Sequence, residues 1–409
     1  MSDAPLSGAS DKSIDHAWVE SAAQRVSLEQ LRAGIYRTCK IMSVVSENGS
    51  FLTRLPIVPE LDALRGIGAI FILSYHLWPS PIFFGWTRAD LFFVISGYLI
   101  TSVVLKYGGQ PNFLLKFWIR RALRTWPPYY TLLTILAIYG WGHDRTPNVK
   151  GMLTYACFIQ NVPGNTYVFV WPFYSNAIQT WSLAVEEQFY WIWPPIIILT
   201  GRRFVVPIAL LAILQAVIGR ILEFEPYFIL SRLDGLAFGS ILAVTINNHE
   251  RTRHWTKGMS LFLLSVGMVS FPLLSVIGTN FEKTIVAVPG CGPISILVIN
   301  SLYFSIVGLT ILHTGHPLLG LLRLRLLRYI GKISYGIFLY HLLIAKVVKD
   351  SCGFSIIEQH VLTVGLSFVA AIISWEVLER PCVSLKSLYP YEAVGFEFTR
   401  CYSPVRNDK

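Results

Sequence analysis

Ten stretches of about 20 mostly apolar residues run through this chain, and no other feature so narrows what it can fold into. They lie at roughly 66–86, 89–106, 126–142, 179–199, 204–222, 227–246, 258–278, 294–313, 331–348 and 357–378. Each is long enough to cross a bilayer as one helix. The rest of the composition agrees: 53% of the 409 residues are hydrophobic and only 14% are charged. A soluble domain carries roughly 25% charged residues, so lipid must be the solvent for much of this surface. The chain reads as all-α, a polytopic integral membrane protein with about ten transmembrane helices.

The charges between the stretches test that count. With the N-terminus placed in the cytoplasm, the cytoplasmic side receives Lys116, Arg120, Arg121 and Arg124, then Arg202 and Arg203, then Arg251, Arg253 and Lys257. It also receives Arg323, Arg325 and Arg328, and finally Arg380 and Lys386, while the opposite side receives only Arg88, Arg145, Lys150, Lys283 and Lys349. Every second loop is basic, as the positive-inside rule requires, and losing one helix would scramble the alternation. Both termini are then cytoplasmic, in a cell inner or plasma membrane. The same rule accounts for the net charge of +10, which leaves no need for a nucleic-acid partner.

Residues 1–54 are polar with mixed charge and lack a signal pattern, so they are expected to form a cytoplasmic tail, partly helical around 16–33. A start at Met42 is an alternative beginning. The transmembrane domain is expected over 55–385 and a cytoplasmic C-terminal tail over 386–409. The first two helices are joined by a tight link around Thr87. The aromatic segment 144–178 is expected to lie at the membrane surface, suited to stack on sugars or to sit at the interface. The cysteines Cys39, Cys157, Cys291, Cys352, Cys382 and Cys401 show no metal-ligand spacing, so no metal site is expected.

Ionisable residues inside apolar stretches are costly and therefore candidates for function. His76 falls in the middle of the first stretch, and Arg65 stands eleven residues earlier. Eleven residues turn a helix by about 1100°, within ~20° of three full turns, so the two share a face about 16 Å apart. Asp62, one turn before Arg65, can orient it. A guanidinium at a cytoplasmic mouth can hold phosphates, and an imidazole deeper in can act as a general base. The plainer alternative is a histidine satisfied by a backbone carbonyl. Arg121 and Arg124 share a helical face, as a topological anchor or as a second anion-binding pair. Glu186 and Glu187 open an apolar helix and point about 100° apart, so at least one should turn inward. Asp90, Arg232, Asp234, Tyr335, His341 and Glu379 are lesser candidates, and a lone histidine such as His341 is more often structural.

Seven blocks in order carry a resemblance. They are Leu61–Gly66 with His76, Asp90–Thr101, the Arg120/Arg121/Arg124 block ending in Pro127, Trp181–Tyr190, Arg232–Gly239, Ile333–His341 and Glu379–Pro381. Together they resemble membrane-bound acyltransferase family 3, the group of O-antigen, Nod-factor and macrolide acyltransferases, over roughly residues 56–385. The family's usual Trp before the histidine of helix nine is Tyr340 here. The resemblance implies a ten-helix domain that moves an acyl group, by default acetyl, from acyl-CoA to a hydroxyl of a sugar or glycosylated small molecule. No permanently bound cofactor is implied, and acyl-CoA is a substrate. Some members carry a further hydrolase-like extracytoplasmic domain. About 30 residues follow the last stretch here, so transfer is expected to finish at the membrane domain.

On this reading Arg65, Arg121 and Arg124 hold the donor's phosphates, with Asp62, Tyr335 and His341 also in the substrate site. His76 takes the proton of the attacking hydroxyl or transiently carries the acyl group, and Glu186 or Glu187 sets its tautomer or positions the acceptor. The rival reading is a transporter or flippase for an amphipathic solute, with His76 and the glutamates as a proton relay.

Overall fold

The computed structural model describes residues 58–78, 87–141, 149–164, 174–247, 250–277, 292–351, 353 and 355–391. Among these the regular structure is helical throughout, with no strand. The helices are α1 (Pro59–Leu77), α2 (Arg88–Tyr107), α3 (Phe113–Trp141), α4 (Val149–Ala156), α5 (Trp181–Thr200) and α6 (Val205–Ile221). They continue with α7 (Leu233–Ile246), α8 (Glu250–Ile277), α9 (Gly292–Leu312), α10 (Arg325–Ser351), α11 (Ile356–Ser374) and the short α12 (Arg380–Ser384). Each of the ten apolar stretches overlaps a helix, the first and sixth only in part among the described residues, and α4 is a short addition within the aromatic segment. The expected tail over 1–54, most of the C-terminal tail, the link before Thr87 and aromatic residues 165–173 lie outside the described residues.

Among the described residues, five helical segments are long and apolar enough to cross a membrane: Arg88–Tyr107, Arg202–Ile221, Ser295–Leu312, Arg325–Ser351 and Ile356–Leu388. α7 is apolar but shorter. Of the others, α1, α3 and α5 carry the polar residues singled out in the sequence. α1 holds Glu60, Asp62 and Arg65; α3 holds Lys116, Arg120, Arg121 and Arg124; α5 holds Glu186 and Glu187. Three of the predicted spans that fall outside these five are thus the ones that carry most of the site residues. α2 is the most enclosed of the five spans, whereas α6 and α11 turn exposed Leu210, Leu211, Leu214, Val361, Val369 and Ile373 outward, as a lipid-facing surface requires.

The first helix is shifted from the expected 66–86. Pro59 opens it at a position where a missing N–H costs nothing, and it ends at Leu77. Trp78, which precedes Pro79, has left helical geometry (φ −126°, ψ 75°), as a residue before proline tends to. His76 is therefore in the last turn of α1 and not in its middle.

Two helix crossings bring backbone against backbone. In the α1–α10 crossing, a Cβ on Gly66 would meet the carbonyl oxygen of Leu327, and one on Gly331 would meet that of Asp62. In the α2–α7 crossing, a Cβ on Gly97 would meet the Leu236 carbonyl oxygen, and one on Gly239 that of Val94. Small residues permit this closeness between membrane helices. α1 and α10 run in the same direction, and His76 and His341 each stand ten residues beyond Gly66 and Gly331. The crossing thereby delivers both histidines to one level, about 15 Å further on. Gly331→Ala is expected to force the helices apart at a cost of about 1–3 kcal/mol. The melting temperature in detergent should fall by roughly 2–6 °C. A melting curve superposable on that of the unmodified protein would show that the crossing tolerates the methyl group.

Asp90, Arg232 and Asp234 pair within the bundle: Arg232 lies 3.4 Å from Asp90, and Arg220 lies 2.9 Å from Asp234. These buried pairs tie α2, α6 and α7 together. Removing one partner would strand a charge, which costs more than the pair itself contributes.

Candidate active site

α3 and α5 each contain a Pro-Pro pair, Pro127-Pro128 and Pro194-Pro195. A proline inside a helix leaves the carbonyl four residues earlier without its donor. For Pro194 that carbonyl belongs to Tyr190, and the indole N–H of Trp118 donates to it at 3.0 Å. Tyr340 donates to the Pro128 carbonyl at 3.2 Å, and Tyr335 to that of Thr125 at 2.7 Å. These bonds fix α3 against α5 and α10.

The adjacent glutamates then part company. Glu187 is buried and faces α3, accepting hydrogen bonds from the Thr125 hydroxyl (2.7 Å) and the Trp126 indole (3.5 Å). Glu186 faces α2 and accepts from Ser96 (3.2 Å) and from the phenol of Tyr190 one turn along (2.8 Å). Both turn inward. Within their shared geometry Glu187 joins helices, whereas Glu186 borders the charged groups described next.

Arg65 lies within electrostatic reach of Arg124, Tyr190 and Glu186. Arg121 stands over the rings of Phe117 (5.6 Å) and Tyr190 (5.4 Å). Arg120 is otherwise engaged: it lies 4.6 Å from the Tyr391 ring and donates to the carbonyls of Lys386 (2.6 Å) and Tyr389 (3.0 Å). Asp62 is 3.9 Å from Arg65 with a half-exposed side chain, a weak pair in which little of the guanidinium is neutralised. Among the described residues, Arg121 and Arg124 have no carboxylate within ion-pair distance. With carboxylates near them but only the long Arg65–Asp62 pair at ion-pair distance among the described residues, the three guanidiniums keep donors for an anion.

Towards the far end of α1, His76 Nδ1 meets His341 Nε2 at 2.9 Å, with ring centroids 4.9 Å apart. His341 Nδ1 faces two backbone carbonyls, Phe338 at 2.9 Å and Ile337 at 3.1 Å. A carbonyl oxygen only accepts, so His341 carries its hydrogen on Nδ1 and, when neutral, its Nε2 accepts. His76 must then donate from Nδ1, which leaves a lone pair on its Nε2. Hydrogen bonding alone has selected the tautomer a general base needs. Among the described residues His341 orients His76, and neither glutamate bonds to it.

Arg88 was counted among loop charges in the sequence. It is the first residue of α2, only 6% exposed, with its guanidinium 4.3 Å from the centre of the Phe338 ring. It lies within electrostatic reach of His76, His341 and Glu186. Because Glu186 is near both Arg65 and Arg88, the two clusters adjoin: guanidiniums at one end, the histidine pair at the other. Arg88 stood one residue from the expected start of the second helix, and that proximity was the available signal. Ser96 and Tyr190 lay inside quoted blocks but carried no separate mark.

Fold and site together define a multi-pass helical membrane protein with a histidine pair enclosed among its helices. A family model described as an acyltransferase domain, the third acyltransferase family, matches residues 58–379, and the chain belongs to that family. Relatives include peptidoglycan O-acetyltransferase OatA of Listeria monocytogenes (strain EGD-e), 28% identical over 79% of this chain and 55% of its own length. Another is a protein of Bacillus subtilis (strain 168) provisionally named peptidoglycan O-acetyltransferase YrhL, 27% identical over 79% of this chain and 54% of its own. A third, provisionally named an O-acetyltransferase, comes from Staphylococcus aureus (strain COL), 28% identical over 80% of this chain and 58% of its own. The chain thus spans a little over half the length of these relatives. No solved structure matches it.

Proposed function

We infer that the chain is a membrane-embedded O-acyltransferase that moves an acyl group, acetyl by its relatives' names, from acyl-CoA to a hydroxyl of a sugar or glycoconjugate. The observation that carries this reading is the His76–His341 bond, which leaves His76 Nε2 unprotonated beyond a group of guanidiniums whose one ion pair among the described residues is the long, half-exposed Arg65–Asp62 contact. The relatives named for peptidoglycan favour a carbohydrate polymer as acceptor. The ten apolar helices are taken as ten spans with both termini in the cytoplasm, an arrangement supported by the alternation of basic loops.

In this scheme acyl-CoA enters from the cytoplasmic side and Arg65, Arg121 and Arg124 hold its phosphates. The thioester reaches His76, whose Nε2 takes the proton from the acceptor hydroxyl as oxygen attacks the carbonyl carbon. The resulting imidazolium shares its Nδ1 hydrogen with His341, so the ring does not turn as charge develops. Tyr335 and Glu187 hold α3 in place, and Glu186 lies between donor and base.

Membranes containing the chain, incubated with labelled acetyl-CoA, are expected to release free CoA and label a surface glycan. Membranes in which the label crosses or redistributes with no thiol released would instead support a transporter. Arg124→Ala is expected to raise KM for acetyl-CoA by about 10-fold or more, the worth of a charge-assisted hydrogen bond. The difference should narrow as salt rises. An unchanged KM across a salt titration would remove Arg124 from the donor site.

A further inference from the structure

The reaction proposed above generates a negative charge that none of its assigned groups meets. When the acceptor oxygen adds to the thioester, the carbonyl oxygen becomes an oxyanion close to His76 Nε2. Arg65, Arg121 and Arg124 lie at the other end of the site, and the carboxyl oxygens of Glu186 are already engaged by Ser96 and Tyr190.

Arg88 is placed to meet that charge. Its side chain is buried, its Nε has no hydrogen-bond partner, and no carboxylate among the described residues lies within ion-pair distance. A guanidinium enclosed among membrane helices with no carboxylate in direct contact is costly, and such residues are ordinarily paired; Glu186 is near enough only for a longer-range attraction. The contact with the Phe338 ring offsets only part of the cost. Phe338 also supplies a carbonyl to His341 Nδ1, so one turn of α10 holds both the guanidinium and the histidine pair. A fixed positive group beside the base, unpaired at rest, suits a negative charge that exists only during the reaction.

We propose that Arg88 is a catalytic residue whose guanidinium binds the oxyanion of the tetrahedral intermediate formed at His76. The assignment rests on His76 being the base in the transfer inferred above. The acceptor O–H bond breaks as the C–O bond forms, the proton goes to His76 Nε2, and the carbonyl electron pair moves to the oxygen held by Arg88. On collapse that pair re-forms the carbonyl, the C–S bond breaks, and the proton leaves His76 for the departing thiolate. No oxidant, reductant or metal enters the balance.

The test uses inside-out membrane vesicles carrying the full chain, with thiol release titrated against acetyl-CoA and normalised to folded protein. Arg88→Gln and Arg88→Ala should lower Vmax by about 100-fold, as losing an oxyanion donor does elsewhere, with KM for acetyl-CoA within about two-fold. Added guanidinium ion should partly and saturably restore Arg88→Ala. Arg88→Lys keeps the charge and with it the fold, but lacks the forked donor, and should lose about tenfold in Vmax. It decides the matter if the neutral variants do not fold. Wild-type Vmax in Arg88→Lys or Arg88→Gln, or a loss carried by KM, overturns the assignment. His76→Ala measured alongside separates the two readings. If it keeps turnover, the base assignment fails; if it is inactive while the Arg88 variants are not, only the role of Arg88 fails.

Discussion

His76→Ala is expected to reduce thiol release from acetyl-CoA by about 10³-fold or more, while the protein inserts, purifies and melts much like the unmodified chain. Positioned general bases contribute about 10²–10⁴-fold, and here no second group can substitute. His341 has its Nδ1 hydrogen committed to the Ile337 and Phe338 carbonyls and its Nε2 turned to His76. Glu186 already accepts two hydrogen bonds, and Glu187 is held by Thr125 and Trp126. The stability expectation has its own reason. His76 lies in the last turn of α1, beyond the glycine crossing that fixes α1 on α10, so its loss removes little packing. KM for acetyl-CoA should stay near the wild-type value because the guanidiniums proposed to hold its phosphates are elsewhere. A purified variant with wild-type turnover would sink the mechanism, and one with normal Vmax but high KM would recast His76 as a binding group.

What the sequence could and could not disclose follows from the range of the forces involved. Apolar length is local, so each of the ten stretches overlaps a helix. Helix ends are set by punctuation that hydropathy does not weigh. Pro59 starts α1 across the polar residues Glu60, Asp62 and Arg65, seven residues before the expected start, and the helix closes at Leu77. That error placed His76 at a midpoint it does not occupy. The glutamates illustrate the opposite limit: their 100° divergence was readable, but which one faces Ser96 and which faces Thr125 depends on the packing of α2 and α3 around α5. Arg88 was assigned to a loop by charge alternation, a rule about side of the membrane that cannot see one residue folding inward. The histidine pair spans 265 positions, so only the parallel α1–α10 crossing reveals it. Its signal was present in Gly66 and Gly331, each ten residues before a histidine, yet a shared spacing carries weight only once the two helices are known to touch.

That pairing gives the second large effect. His341→Phe should fill much the same space yet offer His76 Nδ1 no side-chain acceptor, leaving only the Ile72 carbonyl one turn earlier. The His76 ring is then less firmly held and can turn, or carry its hydrogen on Nε2, where it cannot take a proton. Vmax is expected to fall by about 100-fold while KM for acetyl-CoA changes by no more than about two-fold, because the defect lies in orienting a base. His341→Gln distinguishes this from a packing role. Its amide oxygen can accept from His76 Nδ1 and its amide N–H₂ can donate, as the imidazole does now. The glutamine variant should therefore recover part of the lost rate, although it fills the cavity less well than phenylalanine. If packing were the whole role of His341, the order would reverse and the phenylalanine variant would be the more active. Equal activity of the two, or a loss seen mainly in KM, would also count against orientation and return His341 to the substrate-binding role that its sequence position first suggested.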